Sequence, residues 1–175
     1  MALYFAYGSN MLAARLQARC PSAQIVGPAE AQGFDIAFDK IGQDGSGKAT
    51  LFAAVGQLVH GALFRLGDDD LTELDRVEGV GRGYDRISIT VMRNGQGMDA
   101  TAYLAPSAWR RAGLLPFDWY LGLVLAGAHE QRLPMAWIAR LVTAGRAAPD
   151  PDPMRPRRVE AQALLAACPP AWRHG

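Results

Sequence analysis

The order in which strand and helix patterns follow one another constrains the fold of this chain more than any single motif does. Segments with the alternating or continuous apolar pattern of β-strands come one after another between residues 3 and 104. Helical spacing of apolar residues dominates only after Pro116. Strands that come in runs, rather than alternating with helices, form antiparallel or mixed sheets. The sequence therefore predicts an α+β fold in which a mixed sheet curls into a small closed barrel with helices packed around it.

The boundaries of individual elements follow from the same patterns. The predicted strands cover residues 3–7, 34–38, 50–55, 58–66, 87–91 and 100–104. A turn at Gly56-Gln57 is expected to separate the third strand from the fourth, residues 39–48 are expected to form a loop, and Asn94-Gly95 is a strong hairpin signal. Helices are expected to begin at the Gly8 turn with Ser9 or Asn10 as the N-cap, at residues 68–75, after Pro116, at Pro134 and at residues 159–167.

Composition limits the kinds of partner that this chain could have. Its 175 residues suffice for one core, half of them are apolar, and the formal net charge is +1. A near-neutral chain gives no reason to expect nucleic acid or a membrane surface as a partner. The N-terminus lacks the basic region of a signal peptide, and the longest apolar stretch, residues 119–128, is too short to span a bilayer. We therefore expect a cytoplasmic protein, a monomer or homodimer, with a domain at residues 1–148 and a Pro-rich C-terminal extension at residues 149–175.

The first candidate site is the segment Tyr7-Gly8-Ser9-Asn10, where a strand ends, a glycine turn follows and a helix begins. Glycine permits close approach of a ligand to the backbone. The N–H groups of Gly8, Ser9 and Asn10 would point at one spot, which suits an anion or a carbonyl oxygen. The same pattern also fits a tight turn that is capped by its Ser and Asn side chains and binds no ligand.

A serine nucleophile is a further alternative at this segment. Ser9 is not followed by the second glycine of a G-x-S-x-G motif. His60, His129 and His174 occupy a strand, a helix and the tail, so none of them is placed to orient a serine hydroxyl. The pattern therefore argues against a serine hydrolase.

The second candidate site is Glu78, in the glycine-rich segment 76–84. The glycines lack the spacing of a phosphate-binding loop, and a strand pattern rather than a helix follows them. This pattern favours a flexible turn that carries Glu78 from a helix end into a strand, where a lone glutamate is usually just solvated. No metal site is expected, because the histidines are isolated and the acidic run 68–70 is explained as the first turn of a helix.

Taken together, the two segments resemble the γ-glutamylcyclotransferase family. The resemblance rests on Tyr7-Gly8-Ser9-Asn10 near the N-terminus and, about seventy residues on, the Val77-Glu78-Gly79-Val80 segment followed by Tyr84. Further matching segments are Lys48-Ala49-Thr50-Leu51-Phe52, Tyr103-Leu104, Pro116-x-x-x-Tyr120 and Gly127-Ala128-x-Glu130-x-x-Leu133-Pro134. The match spans residues 3–141, and the residues after it carry no motif of the family.

The resemblance implies a closed barrel and an enzyme that converts a γ-glutamyl amide to 5-oxoproline and a free amine, as in glutathione metabolism. The α-amine of the substrate attacks its own γ-carbonyl, so no cofactor or metal is implied. Glu78 would be the acid/base, and the backbone N–H groups of Gly8, Ser9 and Asn10 would hold a carboxylate or the oxyanion. The resemblance also implies that three aromatic side chains line the pocket: Tyr7, Tyr84 and Tyr120.

Two alternatives remain open at this level. The leaving group could be an amino acid, a γ-glutamylamine or an intermediate that a pathway protects with a γ-glutamyl group. A non-catalytic module of the same fold that captures a small molecule would not need Glu78, so the presence of this glutamate beside an intact Tyr7-Gly8-Ser9-Asn10 segment favours the enzyme.

Overall fold

The computed structural model describes residues 1–173, and within them five strands close into a barrel with helices around it. The strands are β1 (Ala2–Ala6), β2 (Gln24–Ile41), β3 (Gly47–Leu66), β4 (Asp85–Arg93) and β5 (Gln96–Leu104). The helices are α1 (Ala13–Gln17), α2 (Asp68–Glu78), α3 (Asp118–Glu130), α4 (Met135–Gly145) and α5 (Pro156–Ala166). Short 3₁₀ turns lie at Ser9–Met11, Ser107–Trp109 and Pro170–Trp172.

The strand order around the barrel is β1-β3-β2-β4-β5, and β1 closes it against β5. The β1–β5 pair is parallel, with Tyr4 opposite Thr101, and the other four pairs are antiparallel. The predicted α+β class and mixed barrel are therefore confirmed. The Asn94-Gly95 turn is also confirmed, since both residues have positive φ, as a tight two-residue hairpin between β4 and β5 requires.

The predicted turn at Gly56-Gln57 is wrong, because β3 runs without reversal from Gly47 to Leu66. Gly56 and Gly33 both have φ of +77°, and the register of β2 against β3 shifts between Gln32 and Phe34. The two glycines accommodate a bulge that bends a long two-stranded ribbon, which a barrel wall needs in order to curl. Gly56 was therefore interpreted as part of a turn between two strands, whereas in the structure it lies at a bend within one strand.

Helix α3 is the element that holds the N-terminal turn in place. Every residue from Trp119 to Ala128 is buried, which explains the apolar stretch as core. A Cβ on Gly127 would lie 2.5 Å from the backbone N of Leu12, so only glycine lets this helix pack directly on the turn. At the end of α3, Glu130 Oε2 accepts a hydrogen bond from the N–H of Ala13 (2.7 Å), the first residue of α1. None of the helices within residues 1–173 combines the length and apolar character needed to cross a bilayer.

The segment that leads to α5 is anchored by the buried carboxylate of Asp150. The Trp119 indole N–H and the Arg155 Nε–H both donate to Asp150 Oδ2 at 2.8 Å. Burial alone would raise the pKa of Asp150, but these donors and the charge of Arg155 hold it at about 2. Helix α5 then packs against α3, where Leu165 lies 3.2 Å from the position of a Cβ on Gly122. The C-terminal segment is thereby fixed beside the barrel mouth.

Candidate active site

All five tyrosines of the chain line one small pocket at the end of the barrel. The pocket has a volume of about 40 Å³ and is also lined by Gly8, Ser9, Asn10, Ala49 and Glu78. The residues that the sequence analysis singled out therefore lie together around this inner pocket: Tyr7, Gly8, Ser9, Asn10, Glu78, Tyr84 and Tyr120. Tyr4 and Tyr103 also line it, although neither was predicted as a site residue.

The turn after β1 lines the inner pocket with Gly8, Ser9 and Asn10. The N–H of Met11 bonds to the carbonyl of Gly8 (3.0 Å), which closes the 3₁₀ turn. Within residues 1–173 the N–H groups of Gly8, Ser9 and Asn10 have no hydrogen-bond acceptor, although Ser9 and Asn10 are buried. A Cβ on Gly8 would lie 3.3 Å from Ala49 Cβ and 3.4 Å from Tyr120 Oη, so a side chain there would fill the pocket. Buried N–H groups without acceptors are ready to bind an oxygen of a ligand.

The prediction that Ser9 or Asn10 caps a helix is wrong. Helix α1 begins at Ala13 with Leu12 as its N-cap, and neither polar side chain bonds to the helix backbone. Both side chains are engaged with other side chains at the site instead: Asn10 Nδ2 donates to Tyr4 Oη (3.1 Å), and Ser9 Oγ accepts from Arg15 Nε (3.1 Å). The turn is therefore held by these side-chain contacts and not by a helix cap.

Glu78 is the last residue of α2, and a turn over residues 79–84 leads from this helix end into β4, as the sequence predicted. Gly79 ends the helix in the left-handed conformation (φ 70°), as a C-terminal glycine commonly does. Glu78 Oε1 accepts from Asn10 Nδ2 at 2.9 Å and faces Arg19 Nη1 at 3.6 Å. Glu78 Oε2 has no donor among residues 1–173. The carboxylate is therefore oriented through one oxygen, and the other oxygen is open to a ligand.

Asp75, one helical turn before Glu78, ties α2 to the barrel. Tyr103 Oη donates to Asp75 Oδ1 and Arg86 Nη1 to Asp75 Oδ2, both at 2.7 Å. These bonds join the last turn of α2 to strands β4 and β5. The spacing of three residues from Glu78, on the same helix face, is the signal from which this role could have been inferred.

The hydroxyl protons of the tyrosines are not equally available. Tyr84 Oη donates to the carbonyl of Ala49 (2.7 Å), and Tyr7 Oη donates to the carbonyl of Tyr103. Tyr120 Oη instead accepts from the N–H of Ala49 (3.1 Å) and has the Ser9 hydroxyl as a neighbour, so within residues 1–173 its proton is not bound to a backbone carbonyl. Burial raises the pKa of all five tyrosines, which keeps them neutral at physiological pH.

The inner pocket opens into an outer cavity of about 410 Å³ that is strongly basic. The two spaces share Ser9, Glu78, Tyr84 and Tyr120 as lining residues. Among residues 1–173, seven cationic side chains line the outer cavity against two carboxylates, those of Asp75 and Glu78. The seven are Arg15, Arg19, Lys40, Lys48, Arg76, Arg82 and Arg157. A net charge of +1 over the chain gave no sign of this clustering, because the fold collects cations that are far apart in the sequence.

Arg15 is the most deeply buried of these cations, with 4% of its surface exposed. Its Nη1 lies 3.7 Å from Glu160 Oε1 on α5 and has no hydrogen-bond partner among residues 1–173. Burial, together with repulsion from Arg19, lowers the pKa of Arg15 to about 10, so the side chain remains charged at neutral pH. A buried cation with a free N–H beside Ser9 adds to the attraction of this site for a carboxylate.

Comparison with known proteins agrees with this geometry. Residues 4–120 match the family model described as γ-glutamyl cyclotransferase, AIG2-like. The γ-glutamylcyclotransferase of Mus musculus is 34% identical over 146 residues, which are 79% of this chain and 76% of that protein. The γ-glutamylcyclotransferase of Homo sapiens is 33% identical over 146 residues, again 79% of this chain and 76% of that protein.

A solved structure named γ-glutamyl cyclotransferase has a similar fold throughout, with a TM-score of 0.82 and 28% identity. The match covers 98% of that chain and 94% of this one, so about 11 residues (6% of 175) lie outside it. Those are fewer than the residues after position 141, so at least part of the C-terminal segment, in which no family motif was expected, has a structural counterpart. On the family model, the identity of these relatives and the shared fold, the chain belongs to the γ-glutamylcyclotransferase family.

Proposed function

We propose that this protein converts a γ-glutamyl amide to 5-oxoproline and a free amine, with Glu78 as the acid/base and without a cofactor. The observation that carries the proposal is the shared inner pocket: the free oxygen of Glu78 lies with the unpartnered N–H groups of Gly8, Ser9 and Asn10. Acid/base and oxyanion-binding groups are the two contributions that ring closure requires of a protein. We also propose that the enzyme acts in the cytoplasm on a small-molecule substrate.

The first step brings the α-amine of the substrate onto its own γ-carbonyl. The pocket would fold the glutamyl chain, and well-oriented intramolecular attack contributes about 7–11 kcal/mol relative to a bimolecular reaction. Glu78 Oε2 accepts a proton from the α-ammonium, the nitrogen forms a bond to the γ-carbon, and the carbonyl oxygen becomes an oxyanion. In this proposal, N–H groups of the turn and the hydroxyl of Tyr120, which line the same pocket, donate to this oxyanion or to the substrate carboxylate.

The second step breaks the bond between the γ-carbon and the leaving nitrogen. The α-ammonium loses two protons in becoming the lactam N–H, and the leaving amide nitrogen gains two in becoming a free ammonium. Glu78 can therefore return the protons it takes, and the reaction balances without water, an oxidant or a second substrate. Arg19 Nη1, 3.6 Å from Glu78 Oε1, joins Asn10 in orienting the carboxylate.

Two alternatives predict different products. A Ser9 hydrolase would release glutamate, but Ser9 Oγ accepts a hydrogen bond from Arg15, and no histidine within residues 1–173 lines either cavity. His174 lies outside the described residues. A binding module would release nothing.

The decisive experiment is incubation with γ-glutamyl amino acids, γ-glutamylamines and glutathione, with mass spectrometry of the products. We expect 5-oxoproline from at least one class. Glutamate as the main product, or no product from any of them, would contradict the proposal.

A further inference from the structure

Two lysines lie directly opposite each other at the wall of the outer cavity. Lys40 on β2 pairs with Lys48 on β3 in the barrel register. Like charges at such cross-strand positions repel. Lys48 is compensated by Asp44 Oδ2 and Ser46 Oγ, at 2.8 Å and 2.7 Å from its Nζ. Lys40 has no carboxylate within 4.0 Å in the described part of the chain and instead lies over the ring of Tyr84, 4.7 Å from its centroid.

A third cation reaches this wall from the C-terminal helix. Arg157 on α5 lines the same cavity, and its Nη2 lies 3.3 Å from Gln43 Oε1. No carboxylate within residues 1–173 is within 4.0 Å of it. Burial lowers the pKa of both Lys40 and Lys48, and Arg157 lowers each further, which shows that its charge acts on both lysines. Lys40 and Arg157 thus line the same cavity, and neither has a carboxylate within 4.0 Å among residues 1–173.

These cations lie next to the reacting end of the cavity. A Cβ built on Gly83 would be 3.2 Å from Lys40 Nζ and 3.6 Å from the backbone oxygen of Glu78, so the lysine and the helix end border the same space. Burial lowers the pKa of Lys40, and the negative charge of Glu78 acts in the opposite direction and raises it. In the proposed reaction the leaving nitrogen takes its proton from Glu78. The inner pocket of about 40 Å³ leaves little room for a leaving group, whereas the outer cavity is also lined by Glu78 and has Lys40 and Arg157 on its wall.

We propose that Lys40 and Arg157 bind the carboxylates of an acidic leaving amino acid, so that the preferred substrates are γ-glutamyl derivatives of glutamate or aspartate. A leaving amino acid with a neutral side chain offers one carboxylate to two unpartnered cations, and an alkylamine offers none. An acidic amino acid offers two, and charge-assisted bonds between such groups are strong in a partly enclosed site. This inference rests on the proposed function and specifies its leaving group.

The test compares γ-glutamylglutamate with γ-glutamylglutamine, which have nearly the same shape and differ by one negative charge. We expect kcat/KM for the glutamate substrate to be higher by roughly tenfold or more at low ionic strength, and the ratio to fall as salt is added. Arg157→Met and Lys40→Met should each reduce this ratio several-fold. Arg65→Met is the matched control, because Arg65 is exposed on β3 and lines neither cavity, and it should leave the ratio unchanged.

The outcomes separate this inference from the proposed function. Equal kcat/KM for the two substrates, with 5-oxoproline formed from both, would overturn the acidic leaving group and leave the cyclotransferase intact. A ratio that is unchanged in Arg157→Met and Lys40→Met would overturn the assignment of these residues. If neither dipeptide gives 5-oxoproline but another γ-glutamyl compound does, the acidic leaving group is overturned and the proposed function stands. If no γ-glutamyl compound gives it, the proposed function fails, and calorimetry still tests the cavity: equal affinity of the wild-type protein for the two dipeptides would refute the inference, and tighter binding of γ-glutamylglutamate would support it.

Discussion

Replacement of Glu78 by glutamine is the most direct test of the proposed chemistry. Glutamine is nearly the same size, and its oxygen can still accept the hydrogen bond from Asn10 that orients Glu78 at 2.9 Å. It cannot accept a proton from the substrate ammonium. Loss of a general acid/base typically lowers the rate by about 10²–10⁴-fold, which is roughly 3–5 kcal/mol of transition-state stabilisation.

The effect on stability is expected to be much smaller. The pair of Glu78 and Arg19, at 3.6 Å with 17% of each side chain exposed, contributes on the order of 1 kcal/mol or less. In a chain of this size that corresponds to a fall in Tm of about 2–4 °C. A large loss of kcat with a small loss of Tm would therefore separate a chemical role from a structural one.

The assay is release of 5-oxoproline, with kcat and KM measured for wild type and variant, and with Tm and circular dichroism to verify the fold. Glu73→Gln is the matched control, since the same change on the same helix removes an exposed ion pair with Arg76 and lies outside both cavities. It should leave kcat unchanged. If Glu78→Gln is folded and keeps kcat within about threefold of wild type, Glu78 is not the acid/base.

Four further predictions follow from the same geometry. Ser9→Ala should keep most of the activity that Glu78→Gln loses, because the backbone N–H groups remain; an acyl-enzyme trapped on Ser9 would contradict this. Tyr120→Phe should lower kcat/KM roughly tenfold. Tyr84→Phe should mainly lower Tm, because it leaves the buried carbonyl of Ala49 without its hydrogen-bond donor; a loss of kcat/KM in Tyr84→Phe and of Tm in Tyr120→Phe would refute these roles. Reaction in ¹⁸O-labelled water should put no label into the product, and an N-acetylated substrate should be inert; labelled glutamate would end the cyclotransferase proposal. The pKa of Asp150 is about 2, below its ordinary value of 3.8, so its contribution to stability is present above about pH 4 and is lost as the pH falls toward 2; Asp150→Asn should show a flatter dependence of Tm on pH in that window, and an unchanged slope would contradict this.

The fold class could be predicted because the strand patterns are local and their order excludes other architectures. Asn94-Gly95 and Pro134 marked a hairpin and a helix start correctly, since the conformations they favour do not depend on distant contacts. Gly56 was misinterpreted because a positive φ serves a turn and a bulge equally well, and only the register against β2 distinguishes them. The stretch of β2 before Phe34, with Gly27 and Pro28, lacks a clear alternation and gave no signal.

Part of the candidate site could be predicted, because the residues that carry it stand in short segments of the sequence. The motif segments placed Ser9, Asn10 and Glu78 in one pocket, although their roles there remain predictions. The basic outer cavity was not predictable, because β2, β3 and α5 contribute its cations from positions as far apart as Lys40 and Arg157. Charge clustering of this kind is a property of tertiary structure.

The closing contact between β1 and β5 also fixes when the site can exist during synthesis of the chain. Tyr4 lies opposite Thr101, so the first strand has no partner on that side until about a hundred residues have been made. The turn that lines the inner pocket follows β1 directly, and Gly127 of α3, which packs on this turn, is made later still. Contacts so distant in sequence form slowly and late in folding. Recovery of activity on refolding should therefore report closure of the barrel, since a chain with an open barrel lacks the inner pocket.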